Sequence, residues 1–279
     1  MGVTLLDRIF RRNRVMTPAS LVAAPDDSAS DDSMTEQCPV HGASSPWTPQ
    51  RLAQAEALWG DGFLWPGGAD EIKRLTAPFG LSAAHTVLMV GVGPGGPART
   101  IAADLGVWVA GFEADPALVE IAARRLQRSG KALAKRATVS AWNPETPAFP
   151  VAAYHHALAL DVLGGKRRDA ILAALVKSVK PGGQVMVVQS IDPAGQDAAE
   201  IPSMMDLLGC DLRVVENETA RHARLALHGW KVVVRKLRGS RPAPTEAAAL
   251  VAEAEYWLRR IRRIREGRLA LMRWVALVP

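Results

Sequence analysis

Beyond residue 47, short apolar runs alternate with stretches whose apolar residues recur every three to four positions, the pattern of strands followed by amphipathic helices. Thr48 to Trp59 places Leu52, Ala55, Leu58 and Trp59 on one helical face, with Thr48 as N-cap before Pro49. A compact loop, GDGFLWPGG at Gly60 to Gly68, and a second helix, Ala69 to Phe79, lead to a first strand at the head of Val87 to Ala98. Further strands are predicted at Val107 to Phe112, around Ala137 to Ala141, at His155 to Val162, at Gln184 to Gln189, at Leu212 to Val215 and at Leu271 to Val278. Between them, helices are predicted at Ala117 to Gln127, with Leu118, Ile121, Ala122 and Leu126 on one face, at Arg168 to Val179 and at Glu246 to Arg265. The last has Leu250, Ala254, Trp257, Ile261 and Ile264 on its apolar face and Arg259, Arg260, Arg262, Arg263 and Arg265 on the other. Trp230 to Leu237 fits two readings, since its three valines favour a strand and its Ala/Arg/Leu-rich flanks favour a helix. The alternation predicts an α/β fold with a doubly wound, mostly parallel seven-stranded sheet and an N-terminal helical cap.

The first 46 residues read differently. Met1 to Arg14 sets Leu5, Leu6, Ile9 and Phe10 against four arginines in a helical pattern, a segment suited to an anionic membrane surface or a protein partner, or simply a frayed basic tail. Pro25 to Glu36 is acidic and Ser-rich with almost nothing to bury, so it reads as a disordered linker. The expected division is an extension over 1–46 and one folded domain over 47–279.

Composition narrows the class. Among 279 residues, 48% are hydrophobic, enough for a substantial core, and no apolar run approaches the length of a membrane span. The 34 Lys and Arg exceed the 28 Asp and Glu only modestly, and the excess gathers at the two ends. Local basic surfaces fit this better than a body built for nucleic acid. The two cysteines, Cys38 and Cys210, lie far apart, so a disulfide framework is not supported and a reducing cytoplasm fits. Cys38-Pro39-Val40-His41 has ligand-like spacing but too few ligands for zinc, and no metal is expected.

Candidate chemistry centres on Val87 to Ala98, VLMVGVGPGGPA, read as strand, tight loop and helix. Glycines there let a ligand lie against the main chain, and Pro97 suits the first turn of the following helix, whose N-terminus favours the polar end of a ligand. Gly91, Gly93 and Gly96 satisfy a dinucleotide fingerprint, while Gly91, Gly93 and Gly95 satisfy the tighter spacing of S-adenosylmethionine (SAM) methyltransferases. Glu113 follows the second strand, about twenty residues after Gly93, where an acid meets ribose hydroxyls in nucleotide-binding folds.

With VLMVGVGPGG, GFEADP at Gly111 to Pro116, Trp142 to Pro144 and VKPGGQVMVV at Val179 to Val188, the chain resembles the class I SAM-dependent methyltransferases from Trp59 onward. The Lys-Pro-Gly-Gly turn separates that family from nicotinamide dehydrogenases. WGDGFLWPGG and the terminal LMRWVALVP are similar to the small-amine and phosphobase N-methyltransferases. The resemblance implies S-adenosyl-L-methionine as cofactor, held by Gly91, Val92, Gly93, Gly95, Glu113, Ala114, Trp142 and Asn143. Asn143 stands where the family has an aspartate that accepts from the adenine amine. Several positions depart from the pattern: Met89 replaces an acid in the first strand, Trp65 a serine, and Trp47, Gly165 and Val278 fall near a catalytic Tyr, a catalytic His and a phosphate-binding Lys. The expected function is methyl transfer to a small-molecule acceptor, most plausibly an amine nitrogen. Asp161 is the first candidate base, because it ends the fourth strand, and His156 and His155 follow it. A catalytically inert docking or regulatory protein of the same fold is the competing expectation, motivated by Met89, Trp65, Asn143 and Gly165.

Overall fold

The computed structural model describes residues 45–237 and 242–279. The basic segment Met1 to Arg14, the linker Pro25 to Glu36 and the Cys38–His41 pair lie outside the described residues. Helix α1 (Pro49–Trp59) starts as its sequence dictates: Thr48 accepts a hydrogen bond from the Arg51 amide, and Pro49 occupies the first turn. After the glycine-rich loop come α2 (Gly68–Thr76) and a short 3-10 turn (Ala77–Phe79). The chain then alternates: β1 (Thr86–Val90), α3 (Gly96–Leu105), β2 (Trp108–Glu113), α4 (Pro116–Arg128), α5 (Lys131–Arg136), β3 (Ala137–Ala141), β4 (Tyr154–Leu160), α6 (Arg168–Ser178) and β5 (Val179–Ile191). It closes with α7 (Asp197–Leu207), β6 (Asp211–Asn217), α8 (Thr219–Leu237), α9 (Pro244–Arg265) and β7 (Ala270–Leu277).

The seven strands form one sheet in the order β3-β2-β1-β4-β5-β7-β6. Pairings from β3 through β5 are parallel, and β7 runs antiparallel to both β5 and β6. Central strands are apolar on both faces, as a sheet covered on both sides requires. Val87, Met89, Leu158, Leu160, Met186 and Val188 pack on one side with residues of α1, α2, α3, α8 and α9, including Trp59, Trp230 and Trp257. Leu88, Val90, Ala157, Ala159, Val185 and Val187 pack on the other with α6 and α7, over Ile171, Leu175, Ile201 and Met205.

Two expectations are refined. Trp230 to Leu237 is the end of α8, because His222, Ala226, Gly229, Trp230 and Val233 line up on one buried helical face. The Lys180–Gly183 turn lies inside β5 as an excursion: Tyr154 pairs with Val179, His156 pairs with Gln184, and Gly182 takes φ +78°. No described helix is long and apolar enough to cross a membrane.

Candidate active site

The order reverses between β1 and β4, and ligands of open α/β sheets bind outside the carboxyl ends of the strands at such a point. The glycine loop leaves β1 there. Gly91 takes φ +81°, and a Cβ at this position would lie 2.4 Å from the Leu160 carbonyl oxygen. Gly95 takes φ +94° and leads into α3. The Gly91 amide donates to the Phe112 carbonyl at 2.9 Å, which binds the loop to the end of β2.

Glu113 closes the loop from the side. Its carboxylate accepts from the Gly93 amide at 2.7 Å, from Ala114 at 2.8 Å and from Asp115 at 3.1 Å. Burial raises its pKa, and the three backbone hydrogen bonds oppose that rise. Asp115 caps α4 through the Ala117 amide and accepts from Ser45 Oγ, so the chain entering α1 runs past this corner.

Trp142 follows β3 and sits beside Glu113, its amide donating to the Glu113 carbonyl at 3.2 Å. Its ring is buried against Phe149, and its Nε1 has no hydrogen-bond partner among the described residues. Asn143 Oδ1 accepts from the Glu145 amide at 2.9 Å and so shapes the turn that follows. The structure therefore brings Gly91, Val92, Gly93, Gly95, Glu113, Ala114, Trp142 and Asn143 to one end of β1–β3. A side-chain-free cradle with a desolvated acid at its edge fits the polar, hydroxyl-bearing part of a nucleoside cofactor.

Asp161 ends β4 at the same edge, with φ +53°, a conformation uncommon for a residue with a Cβ. Its carboxylate is already engaged: it accepts from the Ser190 amide at 2.7 Å and from Ser190 Oγ at 3.1 Å, and Arg260 lies 3.9 Å away. Arg260 also donates to Ser190 Oγ. The solvent-facing role expected for Arg260 is thus corrected, since it is buried and tied to the strand ends.

His156 does not join this group. It pairs with Val87 near the start of β1, so it lies about 16 Å along the strand from Asp161 at ~3.3 Å per residue. There it stacks on Phe79 with ring centroids 4.7 Å apart, and burial, with His85 and His155 nearby, lowers its pKa to about 4. His155 is at the same far edge, accepting from the Thr86 amide. Met89 is fully buried in the core, and Gly165 opens a 3-10 turn with open space around it.

The loop carrying Trp65 covers the site. The Gly96 amide donates to the Gly62 carbonyl at 2.9 Å, and Leu64 packs on Gly93. Arg125 of α4 pairs with Glu56 of α1, whose Oε1 accepts from the Gly62 amide at 3.0 Å. Beside the loop opens a cleft lined by Trp65, Glu71, Arg74, Val188, Glu218 and His222. Sequence reasoning did not single out Glu218 or His222, and it met Arg273 only within the terminal LMRWVALVP. One signal was present: Arg273 is a lone cation in the otherwise apolar strand ALMRWVAL.

Residues 87–183 match the family described as methyltransferase domain. The chain is 28% identical over 134 residues to phosphoethanolamine N-methyltransferase 2 of Caenorhabditis elegans, covering 47% of this chain and 30% of that protein. It is 26% identical over 168 residues to phosphoethanolamine N-methyltransferase 1 of Zea mays, covering 59% and 32%. The chain thus spans about a third of the length of the curated relatives it matches. A solved structure of Haemonchus contortus phosphoethanolamine N-methyltransferase 2, in complex with phosphomonomethylethanolamine and S-adenosylhomocysteine, superimposes with a TM-score of 0.71 at 20% identity, covering 82% of this chain and 57% of that one. The chain carries a class I SAM-dependent methyltransferase domain, distantly homologous to phosphoethanolamine N-methyltransferases.

Proposed function

We propose that this protein transfers the methyl group of S-adenosylmethionine to a small-molecule acceptor, at an amine nitrogen. The observation that carries the reading is the pairing of the glycine loop with Glu113: a main-chain cradle whose Gly93 amide lies 2.7 Å from a half-buried carboxylate at the switch point of the sheet. When bound, the cofactor supplies a methyl group already activated on a sulfonium. The protein's share is positioning and exclusion of water. Gly91, Val92, Gly93 and Gly95 would hold the methionyl part, Glu113 the ribose hydroxyls, and Ala114, Trp142 and Asn143 the adenine side.

Asp161 serves this reading as a positioning acid, because Ser190 and Arg260 hold its oxygens. His156 has no part in it. A catalytically inert docking protein of the same fold is the second reading. Supporting it are Met89, buried where the family carries an acid, and the Asn143 side chain already committed to Glu145. The basic segment Met1 to Arg14 would then supply a peripheral membrane or protein contact.

Calorimetric titration with S-adenosylmethionine and S-adenosylhomocysteine separates the two. Micromolar binding that Glu113→Ala loses is expected. Absence of binding of either ligand to the wild-type protein would overturn the transferase reading and leave the inert one.

A further inference from the structure

The outward side of α8 gathers cations without acidic partners. The helix buries His222, Ala226, Gly229, Trp230 and Val233. At about 100° per residue, the exposed Arg224, His228, Lys231 and Arg235 form one stripe roughly half a turn away from that face, ~16 Å long at ~1.5 Å per residue. No acidic residue occurs in α8, and Arg224, Lys231 and Arg235 have no ion pair among the described residues. Arginines elsewhere are answered: Arg74 by Glu71, Arg99 by Asp61, Arg125 by Glu56 and Arg168 by Asp197. Cations in a last helical turn complement the helix dipole, which accounts for Arg235 but not for Arg224 in the second turn or Lys231 in mid-helix.

Helix α9 extends this surface. Both helices cover the same side of the sheet, and they meet where the His222 ring lies 5.7 Å from that of Trp257. Two positions beyond each of these rings stand the exposed Arg224 and Arg259, and Arg262 continues the row on α9. Neither Arg259 nor Arg262 has an ion pair among the described residues. Glu255, one turn before Arg259, marks where the cationic row ends. Leu227 and Val234 lie half-buried along one margin of the α8 stripe. Cations edged by aliphatic side chains, on a helix lying flat against its domain, suit the interface of a bilayer. A single-stranded nucleic acid would need aromatic rings for base stacking, and none stands in the stripe.

We propose that this face, the α8 stripe together with Arg259 and Arg262, docks the protein on the surface of an anionic lipid bilayer. The arginine and lysine side chains meet the phosphate headgroups, and Leu227 and Val234 rest against the boundary with the acyl chains. Each such cation near an anionic surface multiplies affinity several-fold, and salt screens the gain. The face shares no residue with the glycine loop or Glu113, so it stands whether or not the protein transfers methyl groups.

Co-sedimentation of the full chain with vesicles of mixed phosphatidylglycerol and phosphatidylcholine, and with vesicles of phosphatidylcholine alone, tests the docking. Partitioning is expected with the anionic vesicles only, weakening as salt is raised. Lys231→Gln/Arg235→Gln is expected to lower it about tenfold or more, and Arg224→Gln/Arg259→Gln, at the other end of the face, to do the same. Lys131→Gln/Lys135→Gln removes equal charge from α5, beside β3 at the opposite end of the sheet from β7, and is expected to change partitioning by less than about twofold. All six positions are exposed, and unchanged thermal unfolding shows that the variants are folded. No partitioning of the wild-type protein, equal partitioning with neutral vesicles, or an equal loss in the α5 control would each overturn the proposal. Partitioning that both stripe variants retain would overturn it too, pointing instead to the basic segment Met1 to Arg14. Tighter binding of polyuridylic acid than of the anionic vesicles would assign the face to nucleic acid, and the bilayer proposal would fall.

Discussion

Part of this protein's loss of stability in acid should come from a side chain remote from the candidate site. His156 is 8% exposed, stacked on Phe79, and its Nδ1 has no hydrogen-bond partner among the described residues. Burial first, then the neighbouring His85 and His155, lowers its pKa from 6.5 to about 4. The folded state therefore prefers the neutral ring, while the unfolded chain takes up a proton once the pH falls below 6.5. The stabilisation is complete above about pH 6.5 and drains as pH falls towards 4. Linkage puts the loss at about 2 kcal/mol between pH 7 and pH 5, and about 3 kcal/mol by pH 4. For a domain whose whole stability is of order 5–15 kcal/mol, that is a large share. His156→Phe keeps the stack on Phe79 and removes the titration. Urea unfolding followed by tryptophan fluorescence, run at pH 7 and pH 5 on both proteins, is expected to show the variant losing about 2 kcal/mol less than wild type over that interval. Equal losses would refute the assignment. His222, lowered to about 3 by burial and by Arg260, titrates in both proteins and cancels from the difference.

Other outcomes follow from the same geometry. Gly91→Ala sets a Cβ 2.4 Å from the Leu160 carbonyl at φ +81°, and thermal unfolding should show a loss of about 3 kcal/mol or more; a variant with wild-type stability contradicts the tight loop. Arg260→Met leaves Asp161 facing Ser190 without its cation, at a cost of about 2 kcal/mol, less than for a fully buried pair because Asp161 is partly open to water. Denaturant midpoints check this, and an unchanged midpoint argues that the pair contributes nothing. Arg125→Ala frees Glu56, which braces the Gly62 amide, so stability should fall by about 1 kcal/mol and S-adenosylhomocysteine affinity with it. Undiminished affinity would show that the covering loop needs no such brace.

Features that rest on local chain physics were readable in the sequence. Short apolar runs mark β1, β2 and β4 in the sequence, and the strand predicted around Ala137 to Ala141 is β3. The glycine loop and Glu113 were legible because backbone access and strand-end spacing leave a mark in residue type. Trp230 to Leu237 stayed open, since valines suit both strands and buried helix faces. The predicted strand His155 to Val162 already sets His156 and Asp161 at opposite ends of β4, and only the carboxyl end lies at the switch point of the sheet. Arg260 belonged by periodicity to a charged face, whereas Ser190 and Asp161, distant in sequence, draw it inward. Glu218 and His222 are ordinary helix-start residues until Arg273 and Trp65 are folded against them.

The strand that comes last of the seven in sequence, β7, lies between β5 and β6. During synthesis the sheet therefore stays open until Ala270 to Leu277 emerge. Until then β5 offers a free edge carrying Val185, Met186, Val187 and Val188, and β6 has no partner strand. An unpaired apolar edge invites pairing with another chain. A ribosome that stalls after α9 would release a polypeptide with its glycine loop formed and its sheet unfinished, prone to aggregate and dependent on chaperones.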